Sequence, residues 1–176
     1  MIKEEEIRNN QAVRVAEEML TAARTAPKAR GVDNLILAMV TGNEIELIAK
    51  KMEELGNRGE GIPSFIRDAD NIRKAQAIVL LGTRIRSQGL KICGRCGFPD
   101  CAEKDKHPDF PCTFNTGDLG IAIGSAVTVA MDHRVDNRVM YTIGQALLEM
   151  KFLGEEVKIA FGIPLSVSAK NPFFDR

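Results

Sequence analysis

The sequence predicts an α+β protein whose frame of helices and strands carries a long cysteine-rich insertion, and three observations lead there. Segments with the 3.6-residue apolar period of a helix alternate with short, continuously apolar runs of strand length. All four cysteines of the 176-residue chain lie within residues 93–112. The stretch around them, 84–117, has no convincing period, and a loop of that length in a compact domain is uncommon unless it is functional or pinned.

Residues 3–26 read as the first helix. Ile7, Ala12, Val13, Ala16, Met19, Leu20 and Ala23 recur at helical spacing, and Glu4, Glu5 and Glu6 suit the positive end of the helix dipole. Pro27 and Gly31 stop it. Residues 35–40 form an apolar run between Asp33-Asn34 and Thr41-Gly42-Asn43, the profile of a buried strand. Helical period returns over 44–56, with Ile45, Ile48 and Met52 on one face, Asn43 as cap and Gly56 as stop. A further helix is expected from 63 to 74, and a buried strand from 77 to 81.

After the cysteine segment, residues 118–131 are apolar on nearly every side, with Gly120 and Gly124 one turn apart. Such a pattern predicts a helix buried all round, its glycines allowing close backbone approach. A short helix over 144–152 and a last strand over 157–163 complete the core. The tail from Ser166, with Pro172 and two phenylalanines, should pack onto another surface. The expected organisation is one domain over 1–176, with 84–117 as an inserted metal-binding loop.

Composition excludes several functions. Basic and acidic residues balance at 24 each, so there is no electrostatic footprint for nucleic acid and no polybasic membrane patch. Aromatic content is 5%, with no Trp, which argues against a stacking platform for single strands. The acidic start lacks the apolar core of a signal peptide. The longest uncharged apolar stretch, 119–131, falls short of the roughly 20 residues a membrane helix needs. A soluble, cytoplasmic protein is expected, and in that reducing setting clustered cysteines are ligands or catalysts rather than disulfides.

The cysteines follow the spacing Cys93-x2-Cys96-x4-Cys101-x10-Cys112. A Cys-x2-Cys pair brings two thiolates to one metal from a single turn, and Gly94 and Gly97 permit the turn's dihedrals while exposing backbone N–H groups toward sulfur. Four thiolates suit a tetrahedral zinc or one four-iron cluster. Zinc sites commonly use two such knuckles, and Cys101 with Cys112 does not form a second. His107 and His133 read as solvent-facing. Glu53-Glu54 and Glu155-Glu156 read as solvated edge carboxylates, and no Gly-x-Ser-x-Gly, Walker or His-Glu-x-x-His motif occurs.

The run Cys93-Gly94-Arg95-Cys96-Gly97-Phe98-Pro99-Asp100-Cys101 resembles the Cys-Gly-x-Cys-Gly-Tyr/Phe-Pro-x-Cys motif of a four-iron four-sulfur domain found in corrinoid and electron-transfer proteins of anaerobes. The fourth cysteine of that domain lies further downstream than Cys112. Outside the loop, Leu20 to Lys28 resembles the helix end and Ala-Pro-Ser segment of the flavin-dependent nitroreductase family. Asp118-Leu119-Gly120-Ile121-Ala122 resembles its central helix, and 157–164, ending in Gly162-Ile163-Pro164, its final strand. The cysteines, together with Asp136 to Tyr141 and the tail Lys170 to Arg176, make the whole chain similar to a small prokaryotic family of ferredoxin-domain proteins.

These resemblances imply a nitroreductase-like three-layer α/β sandwich, a homodimer with interlocked termini, and a [4Fe-4S] cluster on Cys93, Cys96, Cys101 and Cys112. They also raise FMN. The Arg-Arg-Ser-x-Arg phosphate motif of nitroreductases has no counterpart here, Lys28 stands at the serine of Ala-Pro-Ser, and Gly31 stands at the asparagine three residues on. Lys28, Lys170 and Arg176 are the candidate contacts to a flavin phosphate. The function expected is that of an iron–sulfur redox or electron-transfer protein, in one version a flavin-linked oxidoreductase. The alternative is a non-enzymatic binding module with a structural zinc on the same cysteines. No residue is assigned to catalysis.

Overall fold

In the computed structural model, residues 1–174 are described. The chain forms α1 (Glu4–Thr25), β1 (Leu35–Val40), α2 (Asn43–Gly56), α3 (Pro63–Ile72), β2 (Ala77–Arg84), α4 (Cys101–Asp105), α5 (Thr113–Asp132), β3 (Asp136–Asn137), α6 (Tyr141–Glu149) and β4 (Val157–Ser166). The four strands make one sheet in the order β1-β2-β4-β3, and every neighbouring pair is antiparallel.

Strand alternation sorts the core into two halves. Ile78 and Leu80 of β2 point into one apolar cluster with α2, α3 and α6, while Ala77, Val79 and Leu81 point into a second with α1 and α5. The sheet is therefore the middle of three layers, as the sequence implied. β2 reads as a continuous apolar run because it is buried on both faces. Helix α1 presents Ala12, Val15, Ala16, Met19 and Ala23 to the sheet, while Ile7 is left exposed. Ala26 turns to an extended ψ of 140° ahead of Pro27, which ends the helix.

Between α6 and β4 the layers meet more closely than side chains allow. A Cβ on Gly144 would lie 1.8 Å from the Ala160 carbonyl oxygen. On the same side, the buried Asp68 carboxylate ties α3 to α6, accepting from Arg67 Nε at 2.9 Å and from Thr142 Oγ1 at 2.8 Å. The tail closes over this layer. Phe173 is fully buried in the α2–α3–α6 cluster, and Arg138 Nη1 donates to its carbonyl at 2.8 Å. Asn171 Nδ2 donates to Asp136 Oδ1 at 3.1 Å, so the 136–141 segment and the tail meet in space.

Several expectations are corrected. Asn43 is the first residue of α2 and not its cap; Gly42 caps it, with a φ of 53°. β2 runs three residues beyond 81, paired with β4, and β4 three beyond 163, paired with β2 as far as Leu165 and with β3 at Ser166. The last short helix begins at Tyr141 rather than 144. The larger difference concerns α5, which starts at Thr113, immediately after Cys112, and is not buried all round. Asn115, Asp118, Leu119, Ala122, Ala126 and Ala130 form its inner face against the α1 layer. Ile121 and Met131 are 47% and 61% exposed, and Cβ atoms on Gly117, Gly120 and Gly124 would meet nothing within 4 Å. The paired glutamates are surface residues held in ion pairs: Glu53 with Arg73, Glu54 with Lys51 and Arg58, Glu155 with Lys151, and Glu156 with Arg84. Among the described residues no helix is long and apolar enough to cross a membrane.

Candidate metal centre

The segment between β2 and α5 contributes no side chain to either core cluster, and its shape is held by polar contacts to the frame. Asn115 Oδ1, on the first turn of α5, accepts from the Arg86 backbone N–H at 2.7 Å. Asp118 Oδ1, one turn on, accepts from the Ala29 backbone N–H at 3.0 Å. Arg30 Nη1 donates to the Gln88 carbonyl, and Ser87 Oγ bonds Asp105 Oδ1. Thr113 Oγ1 donates to the Arg95 carbonyl at 3.0 Å, fastening the cysteine turn to the start of α5.

Within that segment Gly94 and Gly97 have φ of 74° and 90°, a left-handed conformation that side chains resist. They bracket Cys96, and the Gly97 N–H closes the turn onto the Gly94 carbonyl at 3.2 Å. Cys101 opens α4, whose first turn is capped by Asp100 Oδ1 accepting from the Glu103 N–H at 2.8 Å. Cys112 occupies the position before α5 and is buried; the other three are half-buried. All four are free thiols, and all four line a single cavity. The room left between its walls is small, about 10 Å³. Among the described residues no group of three or more His, Cys, Asp or Glu side chains is gathered so as to hold one metal ion.

Gln88, Asp100 and Lys104 also line the cavity. Asp100 Oδ1 caps α4, and the four thiols supply the soft donors of the lining. Lys104 is 3% exposed and Gln88 5%, and the Gln88 Nε2 has no hydrogen-bond partner among the described residues. Outside, the Phe98 ring stacks on His107 with centroids 5.0 Å apart, and Phe110 meets both edge-on. His107 is thus a surface residue of this aromatic group, and His133 a surface partner of Glu18 at 2.8 Å.

Two of the three proposed flavin contacts fall among the described residues. Lys28 Nζ donates to the Ala23 and Ala26 carbonyls, each at 2.8 Å, and to that of Arg24, and so caps the end of α1. Lys170 lines a surface cavity with Lys74, Gln76, Ser166, Ser168 and Pro172. Arg176 lies outside the described residues. Sequence reasoning missed Gln88, Lys104, Asn115 and Asp118. The last two left a signal, since they stand three residues apart beside Cys112, as one helix face would.

Comparison with known proteins follows the same two lines. Residues 109–176 match the family described as "Uncharacterized protein containing a ferredoxin domain (DUF2148)". A protein of Archaeoglobus fulgidus is 40% identical over 184 residues, an alignment spanning 100% of this chain and 97% of the relative. In structure, the chain is similar to a nitroreductase with bound FMN from Desulfitobacterium hafniense, with a TM-score of 0.58 and 17% identity over 100% of this chain and 85% of the other. It is also similar to an oxidoreductase containing FMN, with a TM-score of 0.60 and 12% identity over 89% and 67% of the two chains. At such identities the likeness is one of fold, and the fold is nitroreductase-like. The full-length relative, with the family match over the α5–tail part, establishes that the chain belongs to this family of ferredoxin-domain proteins.

Proposed function

We propose that this chain is an iron–sulfur redox protein in which Cys93, Cys96, Cys101 and Cys112 hold a [4Fe-4S] cluster. One observation carries the reading: all the cysteines of the chain line one cavity and supply its soft donors. The donor set fits the group. Thiolates arrayed round a space suit a cluster, whose ligands are spread over several irons. A single zinc at about 2.3 Å from each sulfur would draw the sulfurs to within about 3.8 Å of one another. The ferredoxin domain in the family's description and the Cys93–Cys101 motif support iron in the same sense. When bound, such a cluster stores and passes single electrons.

The chain's own residues hold and shield the group. Gly94 and Gly97 shape the turn that presents two sulfurs, Cys112 sets a third from the rigid end of α5, and the Phe98–His107–Phe110 group packs on the outside of the loop. Protein purified without oxygen from a reducing, cytoplasmic setting should be brown, with about four irons per chain. A colourless preparation with about one zinc per chain refutes the cluster in favour of the structural-zinc module.

FMN is the second reading, favoured by the FMN-bearing proteins that share the fold. It predicts stoichiometric binding at micromolar FMN and its weakening in Lys170→Ala; absence of binding at that concentration refutes it. The homodimer is supported by the open face of α5, where Gly117, Gly120, Ile121 and Gly124 lie without cover from the described residues. Sedimentation equilibrium should give twice the 19.3 kDa chain mass, and Ile121→Asp should return it to one.

A further inference from the structure

Lys104 is a lysine where lysines seldom are. It stands one turn from Cys101 on α4, so both side chains lie on the same helix face. Its side chain is 4% exposed, so the ammonium is held at the edge of solvent instead of extending into it as a lysine on a long stem ordinarily does. Its one ion partner is Asp105 Oδ1 at 3.9 Å, a carboxylate that is 59% exposed and also bonds Ser87. A buried ammonium costs heavily unless it is closely paired, and this one lines the cysteine cavity. The same wall carries Gln88, whose buried Nε2 donor finds no acceptor among the described residues. Two buried donors, one of them charged, border a space lined by four sulfurs.

We infer that Lys104 is the built-in counter-charge of the cavity's occupant, and that with the Gln88 amide it raises the reduction potential of the cluster. The inference rests on the cluster reading proposed above. Four thiolates around an iron–sulfur core leave the assembly net negative, and each added electron deepens that charge. A fixed cation in the low dielectric of the interior favours the more negative state. An amide N–H aimed at sulfur acts in the same direction, since hydrogen bonds to the sulfurs are among the determinants of potential. Asp105 points the other way in charge, but its exposure weakens it by solvent screening.

The test uses the full chain with its cluster, poised against redox dyes under argon with dithionite as reductant, and followed by absorbance. Lys104→Met should retain its iron and sulfide yet shift to a more negative midpoint. At the wild-type midpoint its reduced-to-oxidised ratio should fall at least tenfold, which is 59 mV for one electron. Lys104→Arg, which keeps the charge, should stay within threefold of wild type, and Gln88→Leu should shift in the same direction as Lys104→Met by a smaller factor. Should Lys104→Met lose the cluster while Lys104→Arg keeps it at the wild-type midpoint, the need for the charge is shown directly. Equal midpoints in loaded wild type and loaded Lys104→Met overturn the inference alone, as does loss of the cluster in both Lys104 variants. A wild-type chain without iron and sulfide overturns the cluster reading itself, so the two failures are told apart by metal content.

Discussion

Gly144→Ala sets two effects of opposite sign against each other, and the structure decides between them. Alanine is the better helix former by about 0.8–1.0 kcal/mol in a helix interior, so propensity alone predicts a more stable protein. Against this, the added Cβ would sit 1.8 Å from the Ala160 carbonyl oxygen, 2.5 Å from its carbon and 3.1 Å from the Phe161 nitrogen. Ordinary contact begins near 3.4 Å, so helix and strand must part by the difference, 3.4 less 1.8, or 1.6 Å. The obstacle is backbone in the middle of the sheet, and no rotamer change relieves it. α6 also brings Ile143, Ala146 and Leu147 to the core, each at most 1% exposed, and all three would lose contact with the sheet. Overpacking costs about 1–3 kcal/mol, occasionally more, and a backbone obstacle belongs at the upper end. After the propensity gain, the net loss is about 2 kcal/mol. For a chain of this length that lowers Tm by about 4–8 °C. Urea unfolding followed by circular dichroism should show a lower midpoint at unchanged slope. A Gly144→Ala protein as stable as wild type, or more stable by about 1 kcal/mol, would refute the close approach between α6 and β4.

Further outcomes follow from other contacts. Cys112→Ser should lower the bound iron and speed proteolysis within 85–111 while leaving the secondary structure by circular dichroism intact; full iron retention would show that Cys112 is not a ligand. Phe173→Ala should cost about 3–5 kcal/mol in urea unfolding, the usual loss for a fully buried phenylalanine, and a loss below about 1 kcal/mol would mean that the tail does not close the core. Arg73 bridges Glu46 and Glu53 of α2, and its hydrogen bonds hold both carboxyls below their ordinary value of 4.5. Depressed acids contribute stability that is present above about pH 4.5 and lost as pH falls through their lower folded values. Wild type should therefore lose more Tm than Arg73→Met on acidification below pH 4.5, and parallel acid limbs would refute the pairing.

The frame was legible because its signals are local. β1 lies at 35–40 as its apolar run implies, and of the residues read onto the apolar face of α1, Ala12, Ala16, Met19 and Ala23 are buried, with Val15 added and Ile7 left outside. The four cysteines were legible for the same reason, as a spacing read along a few turns. What escaped depended on distant parts of the chain. The first turn of α5 carries Asn115 and Asp118, polar residues whose partners are the backbone at 86 and 29, and no periodicity reports a partner so far away. α5 is apolar on its outer side as well, and hydrophobicity alone does not distinguish burial in the chain's own core from an open apolar face. Lys104 is one of 24 basic residues, and only the folding of the loop removes it from water.

Neither apolar cluster draws on residues 82–118, yet Cys112 belongs to the frame and Cys93, Cys96 and Cys101 to the loop. The frame can therefore reach its native state before anything enters the cavity. The occupant then acts as a rivet: one sulfur stands at the head of a frame helix, and three stand on a segment that polar contacts fasten to it. Loss of the occupant would release that segment and leave the sandwich standing, so damage at the metal, by oxidation for example, would be repairable in place without refolding the chain.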